Sequence, residues 1–450
     1  MAKHIQSSPP RRGLFAWLGI LFTTAFYAAW TALIVVAPLF AAWVASSLAA
    51  HVGGSIRVAA ASGLLVFPVL PVAWEAVAAW RRARQPSRKR RFLTLTDRLV
   101  LRTLAVSLAF LGALVVGGPR RVFAALNSRG DWALDGRHDP RSEAARRRIF
   151  WLAAKSEWLY KLTDDNPFHE GGRVRPRPQP LPTRVVAIEV PTPAPGPTPA
   201  PGSTPDVPDE EVALPEAPRD IHAWPWAGDL HPAVRALPPA VETSPEAVGR
   251  HLATQERDPW NLARAVHDYV ADRVAYDVES YRAGVYPPQD AATTFRTHKS
   301  VCAGYANLFE AIGRAAGLHV TTVVGRARGA ADADMGEGHA WNAIKLDGRW
   351  HLIDTTWDAG YVSADGFHKR YATWYFLTPP EVFVATHFPD RPRWQLLPVA
   401  RTPGEYMRAP VLDPEFFADG LRLVSPDRAE SDAHGRLEVV MENPRRFSIL

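Results

Sequence analysis

The chain has 450 residues, 47% of them hydrophobic, with a formal net charge of +6 and a single cysteine. Its length is sufficient for two or three domains with buried cores, and one cysteine excludes an intrachain disulfide or a cysteine-cluster metal site. The basic charge does not favour nucleic-acid binding, because the arginines concentrate in the first 180 residues beside apolar segments. Charge next to a membrane is the commoner cause of such a pattern. We therefore expect no nucleic-acid partner.

Three apolar runs follow a short N-terminal segment, residues 1–13. The first run, Leu14 to Ala50, contains no charged residue. It exceeds the roughly 7–15 residues of a signal-peptide core and is long enough to cross a bilayer. The three runs predict a membrane domain over residues 14–120, with spans at about 14–45, 56–80 and 99–117. The alternative is a set of buried helices in a soluble protein.

Basic residues around these runs predict the orientation of the chain in the membrane. Lys3, Arg11 and Arg12 precede the first run, and a strongly basic stretch, Arg81 to Arg91, separates the second from the third. The positive-inside rule makes both regions cytoplasmic, and three spans then put the rest of the chain on the other side. The later cluster Arg146 to Arg148 counts against this orientation. We expect an integral membrane protein with a cytoplasmic N-terminus, an extracytoplasmic C-terminal part and the lipid bilayer as a partner.

A juxtamembrane region and a linker follow. Residues 121–170 include an amphipathic stretch, Glu143 to Leu162, in which tryptophans and basic residues share a helical pattern. Such a helix either lies in the membrane interface or packs on the next domain. Residues 171–220 form a Pro-rich linker, with fourteen prolines between Arg175 and Asp220. This composition cannot form a packed core and favours an extended spacer.

The one cysteine lies in a segment with globular composition, predicted as a domain over residues 221–400. Two helices are predicted between Ser244 and Asp277, and a third begins near Cys302, with Ser300 as its N-cap. In the first turn of a helix, free backbone N–H groups and the helix dipole favour a thiolate over a thiol. A structural cysteine prefers the middle of an apolar face, so this position indicates a reactive thiol.

A predicted hairpin supplies a partner for that thiol. Two β-rich runs flank Asp347-Gly348, which is a strong two-residue turn signal. The register that follows pairs Leu346 with Arg349, Trp341 with Asp354, and His339 with Thr356. His339 and Asp354 then lie on one face as diagonal neighbours, with Cα atoms roughly 7–8 Å apart. The hairpin is therefore predicted to pair an imidazole with a carboxylate. No metal-ligand spacing involves His387, which is interpreted as structural or surface.

These motifs carry a family resemblance. "VCAGYANLF", "HAWNAIKLDGRWHLIDTTWDAG" and the downstream "YFLTPPEVFVATHFPDRPRWQLL" resemble the transglutaminase-like cysteine peptidase superfamily, in particular its kyphoscoliosis-peptidase branch. The resemblance covers about Asp258 to Leu397 and implies an α+β fold with a papain- or transglutaminase-like core. In that core a helix bearing the cysteine packs on an antiparallel sheet bearing histidine and aspartate. By position it implies Cys302 as nucleophile, His339 as general base and acid, and Asp354 as the residue that orients His339. The membrane-spanning half has no counterpart in the resemblance.

The resulting hypothesis is a membrane-anchored thiol enzyme that hydrolyses peptide or amide bonds in the cell envelope through a thioester. Its substrate would be a peptide or protein, and we expect no cofactor and no metal. The backbone N–H of Cys302 can provide one oxyanion donor. Candidates for a second donor, or for the wall of the cleft, are Tyr276, Gln289, Trp341 and Trp357. Alternatives are an acyltransferase that cross-links proteins through an amine, and a catalytically silent scaffold or binding module. Residues 401–450 are predicted as a short β-rich tail that packs on the catalytic domain.

Overall fold

The computed structural model describes residues 14–84, 92–137, 139–162, 166–169, 173–174, 224–329, 335–430 and 438–443. Two compact units are present, Met1–Thr163 and Asp164–Leu450. Apart from residues 173–174, the predicted Pro-rich linker lies outside the described residues.

The described part of the first unit is helical. Its helices are α1 (Leu14–His51), α2 (Ile56–Leu64), α3 (Leu70–Arg84), α4 (Leu95–Gly117), α5 (Pro119–Arg129), α6 (Pro140–Ala154) and α7 (Glu157–Lys161). Helices α2 and α3 are joined by a π-helical turn at Leu65–Val69, which contains Pro68. Three helical segments in the described part of the chain are long and apolar enough to cross a membrane: Ile20–His51, Ile56–Arg84 and Leu95–Gly117. The amphipathic stretch predicted over 143–162 is divided between α6 and α7.

One buried acid in this unit is neutralised by arginines. Glu75 of α3 pairs with Arg82 of the same helix and with Arg98 and Arg102 of α4, at 2.5, 3.1 and 2.6 Å. A carboxylate in an apolar helix is stable only with such partners. The ion pairs therefore fix α3 against α4.

The second unit mixes helices and strands. Its helices are α8 (Pro232–Arg235), α9 (Pro245–Gln255), α10 (Pro259–Arg273), α11 (Val278–Ala283), α12 (Ala291–Thr297), α13 (Cys302–Ala315), α14 (Thr355–Ala359), α15 (Pro380–Phe383), α16 (Pro403–Arg408) and α17 (Pro414–Ala418). Its strands are β1 (Phe168–His169), β2 (Arg173–Val174), β3 (Ala275–Tyr276), β4 (Lys299–Ser300), β5 (His319–Ala327), β6 (Glu337–Leu346), β7 (Arg349–Ile353), β8 (Gly360–Ser363), β9 (Gly366–Lys369), β10 (Phe376–Thr378), β11 (His387–Pro389), β12 (Arg422–Ser425) and β13 (Val440–Glu442).

A five-stranded antiparallel sheet forms the centre of this unit, in the order β10-β7-β6-β5-β11. Strands β6 and β7 form the predicted hairpin, with Asp347 and Gly348 both at positive φ and Leu346 opposite Arg349. Positive φ at both turn residues is the geometry that matches the twist of the flanking strands. The predicted register is therefore confirmed at the turn.

Helix α13 packs on one face of this sheet. Its apolar positions Tyr305, Phe309 and Ile312 are fully buried in a core that also includes residues of α9, α10 and β6. Asn342 of β6 donates from Nδ2 to the backbone oxygen of Ala306 at 3.0 Å. A polar bond across an apolar interface fixes the position of the helix along the strand. The α+β architecture is the one that the resemblance implies.

The C-terminal segment packs on this domain. The Arg328 guanidinium donates to the backbone oxygens of Tyr406 and Ala409 at 2.5 and 2.9 Å, and the Tyr406 hydroxyl donates to that of Thr386 at 2.7 Å. Strands β12 and β13 pair as a small ribbon. The segment also contains helices α16 and α17, which the sequence did not predict.

Candidate active site

Cys302 is the first residue of α13. The N-cap is Val301, not the predicted Ser300. Ser300 belongs to β4, and its hydroxyl donates to Oε1 of Gln289 at 2.6 Å; the N–H of Val301 donates to the same oxygen at 3.1 Å. The Ser300 hydroxyl and the Val301 N–H, which immediately precede the helix, are thus held by the side chain of Gln289. Cys302 has the predicted place in the first turn and is only 1% exposed.

The hairpin brings His339 and Asp354 into contact. Nε2 of His339 lies 2.7 Å from Oδ2 of Asp354, and both side chains are buried. The β6–β7 ladder ends at the pair Asn342–Ile353. The predicted pairs Trp341–Asp354 and His339–Thr356 therefore do not form.

Asp354 leaves the ladder because it serves as the N-cap of α14. Its N–H donates to the backbone oxygen of Tyr375 at 2.9 Å. Its Oδ1 accepts the N–H groups of Thr356 and Trp357 at 2.8 and 3.4 Å. These backbone donors hold the carboxylate in place, with Oδ2 toward His339.

The charges in this cluster stabilise one another. Burial alone lowers the pKa of His339, but the negative charges of Asp354 and Cys302 outweigh burial and raise this pKa to about 10. Burial raises the pKa of Asp354, yet the charge of His339 and hydrogen bonds from two histidines hold it below its ordinary value of 3.8. The contact of Nε2 with Asp354 leaves Nδ1 of His339 for the thiol. The cluster therefore favours the charged form of His339 beside the Asp354 carboxylate.

A third side chain, His387 of β11, also binds Asp354. Its Nε2 lies 3.0 Å from Oδ2 of Asp354, and its Nδ1 lies 2.8 Å from the hydroxyl of Thr386. The interpretation of His387 as a structural or surface residue misses this contact, since the side chain is fully buried and touches the site. No sequence spacing connects His387 to His339, because only the pairing of β11 with β5, beside β6, brings them together.

His387 is a neutral donor to Asp354. Burial lowers its pKa to about 4, despite the favourable contact with Asp354. A neutral imidazole that donates from Nε2 must accept at Nδ1, so the Thr386 hydroxyl is the donor there. The Tyr375 hydroxyl, 3.3 Å from Thr386 Oγ1, completes this chain. In this chain of hydrogen bonds each group donates to the next, from Tyr375 through Thr386 and His387 to Asp354.

His339, Asp354 and His387 are also close enough together to hold a metal ion, since their ligand atoms lie within 4.8 Å of one another. All three are buried, and both histidines are already hydrogen-bonded to Asp354. A cation would have to replace those hydrogen bonds. The expectation of a metal-free site stays a prediction.

Tyr276 packs against the apolar cluster that contains Cys302. Strand β3 pairs in parallel with β4, with Tyr276 opposite Ser300. Burial, followed by the charge of Cys302, raises the pKa of Tyr276 well above 10. Its hydroxyl therefore stays protonated and can donate a hydrogen bond. Among the four residues proposed for the oxyanion or the cleft, it combines nearness to Cys302 with a place in the cleft wall.

The other three candidates lie in different environments. Gln289 is buried, and its amide nitrogen donates to the backbone oxygen of Pro287 at 2.8 Å, so it supports the helix start. Trp341 is buried and its ring stacks on His339, with centroids 6.1 Å apart. Trp357 lines the cleft, its ring 5.8 Å from that of His339.

A cleft of about 660 Å³ opens onto His339. Aromatic side chains form much of its wall, and three carboxylates line it: Glu337, Asp413 and Glu415. The hydroxyl of Tyr281 donates to Glu337 at 2.5 Å. Apolar walls with a few polar groups are typical of sites that bind organic ligands.

Residues 246–355 match the family model of the transglutaminase-like superfamily. The chain is 29% identical over 248 residues to the kyphoscoliosis peptidase of Mus musculus and 29% identical over 245 residues to that of Homo sapiens; each alignment covers 50% of this chain and 37% of the relative. It is also 29% identical over 137 residues to a LIM and transglutaminase domain protein of Caenorhabditis elegans, covering 27% of this chain and 19% of that protein. The matches thus span little more than a third of the two peptidases.

Proposed function

We propose, from the premise that residues 246–355 form a transglutaminase-like domain, that this chain is a membrane-anchored thiol hydrolase of peptide or amide bonds. The observation that carries the proposal is the buried contact of His339 with Asp354, 2.7 Å, next to the thiol at the start of α13. The name of the kyphoscoliosis peptidases, which resemble half of this chain, supports the same reaction class.

In the proposed reaction, the Cys302 thiolate attacks an amide carbonyl and the C–N bond breaks as His339 protonates the leaving amine. Water then attacks the thioester, His339 takes its proton, and the carboxylic acid leaves Cys302. The N–H of Cys302 and the hydroxyl of Tyr276 are the proposed donors to the oxyanion. Asp354 keeps His339 oriented throughout and stabilises its charged form before amine departure and after water attack.

The lipid bilayer and a peptide or protein of the cell envelope are the proposed partners. Three apolar helices within the described residues could span a membrane. The basic residues Lys3, Arg11 and Arg12, together with Arg81 to Arg91, favour the cytoplasmic side for the N-terminus, and hence an extracytoplasmic catalytic domain.

A cysteine-labelling reagent that cannot cross membranes, applied to intact cells, tests this topology. In a Cys302→Ala chain, it should modify a cysteine introduced at Glu430, which is exposed, and spare one introduced at Ser87. Labelling at Ser87 and not at Glu430 would reverse the proposed orientation.

The activity is tested on the full chain in lipid nanodiscs, incubated with envelope fractions. New peptide termini detected by mass spectrometry are expected with the wild type and not with Cys302→Ala or His339→Ala. Incorporation of a labelled amine without new termini would instead indicate an acyltransferase. Slow alkylation of Cys302 that is unchanged by His339→Ala would indicate a silent scaffold.

A further inference from the structure

A short segment outside the family match lies against the start of the catalytic helix. Phe168 is 5% exposed and belongs to the apolar cluster that contains Cys302; the other members of that cluster are Val301, Ala303, Ala306, Val324 and Ala340. The rings of Phe168 and Tyr286 lie 5.7 Å apart. One aromatic side chain from residues 166–168 therefore fills an apolar site beside the nucleophile.

Polar contacts anchor the segment on the sheet. Nδ2 of Asn166 donates to the backbone oxygen of Gly325 at 2.8 Å and lies 3.3 Å from a carboxylate oxygen of Asp390. Oδ1 of Asn166 accepts the N–H of Phe168 at 3.1 Å. The asparagine thus fixes both the position of the segment and the direction of Phe168.

The sheet has a surface shaped for this segment. Gly338, which precedes His339, lies directly beneath it. A Cβ at Gly338 would come within 2.6 Å of Asn166 Oδ1 and 2.7 Å of Pro167 Cδ. A glycine at this point therefore permits close approach of another chain segment to the histidine.

The few contacts of so short a segment imply that it can exchange with a competitor. A short peptide that binds through one aromatic side chain and a few hydrogen bonds has an affinity of about millimolar. A segment tethered to its own site has an effective concentration that is also about millimolar. Bound and released forms are then both populated, and a competing peptide can displace the segment.

We propose that Asn166–Phe168 occupies in cis a peptide-binding groove beside Cys302, and that this groove takes in trans a peptide segment with an aromatic side chain in the place of Phe168. The proposal rests on the proposed function and adds a substrate preference to it. The groove is made by the first turns of α13, by Gly325 and Gly338, and by Tyr286. Its occupant in this structure blocks it until a peptide competes.

Peptide binding tests the groove directly. The probe is a fluorescent peptide with the sequence of residues 164–170, DDNPFHE, and its control has alanine in place of the phenylalanine. The full chain in nanodiscs carries Cys302→Ala, so that binding requires no catalysis. Because the groove would be open about half of the time, we expect the probe to bind the Phe168→Ala chain about twofold more tightly than the Phe168 chain, and the control peptide to bind neither. Equal binding of probe and control, or no gain with Phe168→Ala, would overturn the proposal.

Alkylation of Cys302 provides a second readout in the otherwise wild-type chain. Phe168→Ala should be alkylated about twofold faster than the wild type, since the accessible fraction rises from about half to all, and added DDNPFHE should slow it again. Phe92→Ala, which alters an exposed aromatic residue of the first unit, should leave the rate unchanged.

A second variant distinguishes a folding defect from loss of the blocking segment as the cause of faster alkylation. If Phe168→Ala lowers the melting temperature, Asn166→Ala replaces it, because that change removes the anchor and keeps the aromatic ring. Unchanged alkylation in folded Phe168→Ala or Asn166→Ala would contradict occlusion by the segment. Loss of hydrolysis with intact peptide binding would instead count against the proposed reaction.

Discussion

Nε2 of His387 lies 3.0 Å from Oδ2 of Asp354, the same oxygen that lies 2.7 Å from Nε2 of His339. One carboxylate oxygen thus accepts from two histidines of opposite character. His339 is held as a cation because its pKa is raised to about 10, whereas His387 is neutral because its pKa is lowered to about 4. Through their different surroundings, a charged histidine and a neutral histidine therefore share one carboxylate oxygen.

Replacing His387 should loosen the orienting carboxylate. His387→Phe keeps much of the packing against Phe383, 4.2 Å away between ring centroids, but removes the donor to Asp354. Because hydrogen bonds to charged groups contribute about 1.5–3 kcal/mol, we expect a lower melting temperature and alkylation of Cys302 slowed about three- to tenfold at pH 7. His387→Gln, which retains an amide donor, should lose less. Equal melting temperatures and alkylation rates for His387→Phe and the wild type would show that His387 does not support Asp354.

The same histidine should make stability depend on pH. Its folded-state pKa, about 4, lies below the ordinary value of 6.5, so between these values the unfolded chain binds a proton that the folded chain does not. Stability from this group is therefore lost as the pH falls from 6.5 to 4, by up to about 3 kcal/mol. Melting temperatures of the full chain across this range should fall more steeply for the wild type than for His387→Gln. Parallel curves would contradict a buried, neutral His387.

Neutralising Asp354 should weaken the charged form of His339. The pKa of His339 is raised above its ordinary value, so the stabilisation from its charge is present below pH 6.5 and lost as the pH rises through about 10. Asp354→Asn removes the main opposing charge and should move this loss to lower pH. We expect Cys302 alkylation at pH 8 to fall about tenfold, measured over pH 6–10. Asp365→Asn, which alters an exposed carboxylate, is the matched control; a similar profile for both variants would argue against the ion pair.

Tyr276→Phe should impair the reaction more than the fold. The variant removes the hydroxyl proposed as an oxyanion donor and keeps the ring that packs near Tyr305, 6.5 Å between centroids. Loss of one such donor typically costs about 10²- to 10³-fold in rate, and we expect a loss of that order in the release of envelope peptides. The melting temperature should change little. Tyr281→Phe serves as comparison, since its hydroxyl binds Glu337 at the cleft wall; equal losses in the two variants would argue against a donor role for Tyr276.

A second buried histidine should support the turn that carries Asp354. His267 bridges Asp268 and Asp358, at 2.9 and 3.0 Å, and the N–H of Asp358 donates to the backbone oxygen of Asp354 at 3.3 Å. Burial lowers the pKa of His267, but the two acids outweigh burial and raise this pKa to about 9. Its stabilising charge is therefore present below pH 6.5 and lost as the pH rises through 9.

We expect His267→Gln to destabilise the chain by about 3–5 kcal/mol, because it removes the cation beside the buried Asp358 carboxylate, whereas Asp268 keeps Arg264 at 3.6 Å. Its melting temperature should also vary less between pH 7 and 10 than that of the wild type. A small change in melting temperature at pH 7 would show that the acids are not held by this histidine. His298→Gln, at an exposed helix end, provides the control.

Local patterns in the sequence were enough to predict much of the secondary structure and the fold of this protein. The Asp347-Gly348 turn fixed the hairpin register from two residues, and uninterrupted apolar length was enough to predict three helices that could cross a membrane, which the structure contains. The order of Cys302, His339 and Asp354 along the chain, with its flanking motifs, indicated the family and the fold. These features depend on short-range geometry, which a sequence carries directly.

Only the tertiary structure decided what surrounds the site. Asp354 is predicted inside a strand, yet it is the N-cap of α14, and its backbone N–H donates to the backbone oxygen of Tyr375. His387 reaches Asp354 through a strand on the other side of β5, and Phe168 reaches the cluster around Cys302 from a position before the family match. Contacts of this kind join residues that are far apart in the chain. They follow from how the sheet is ordered and how the core closes, and no periodicity in the sequence encodes them.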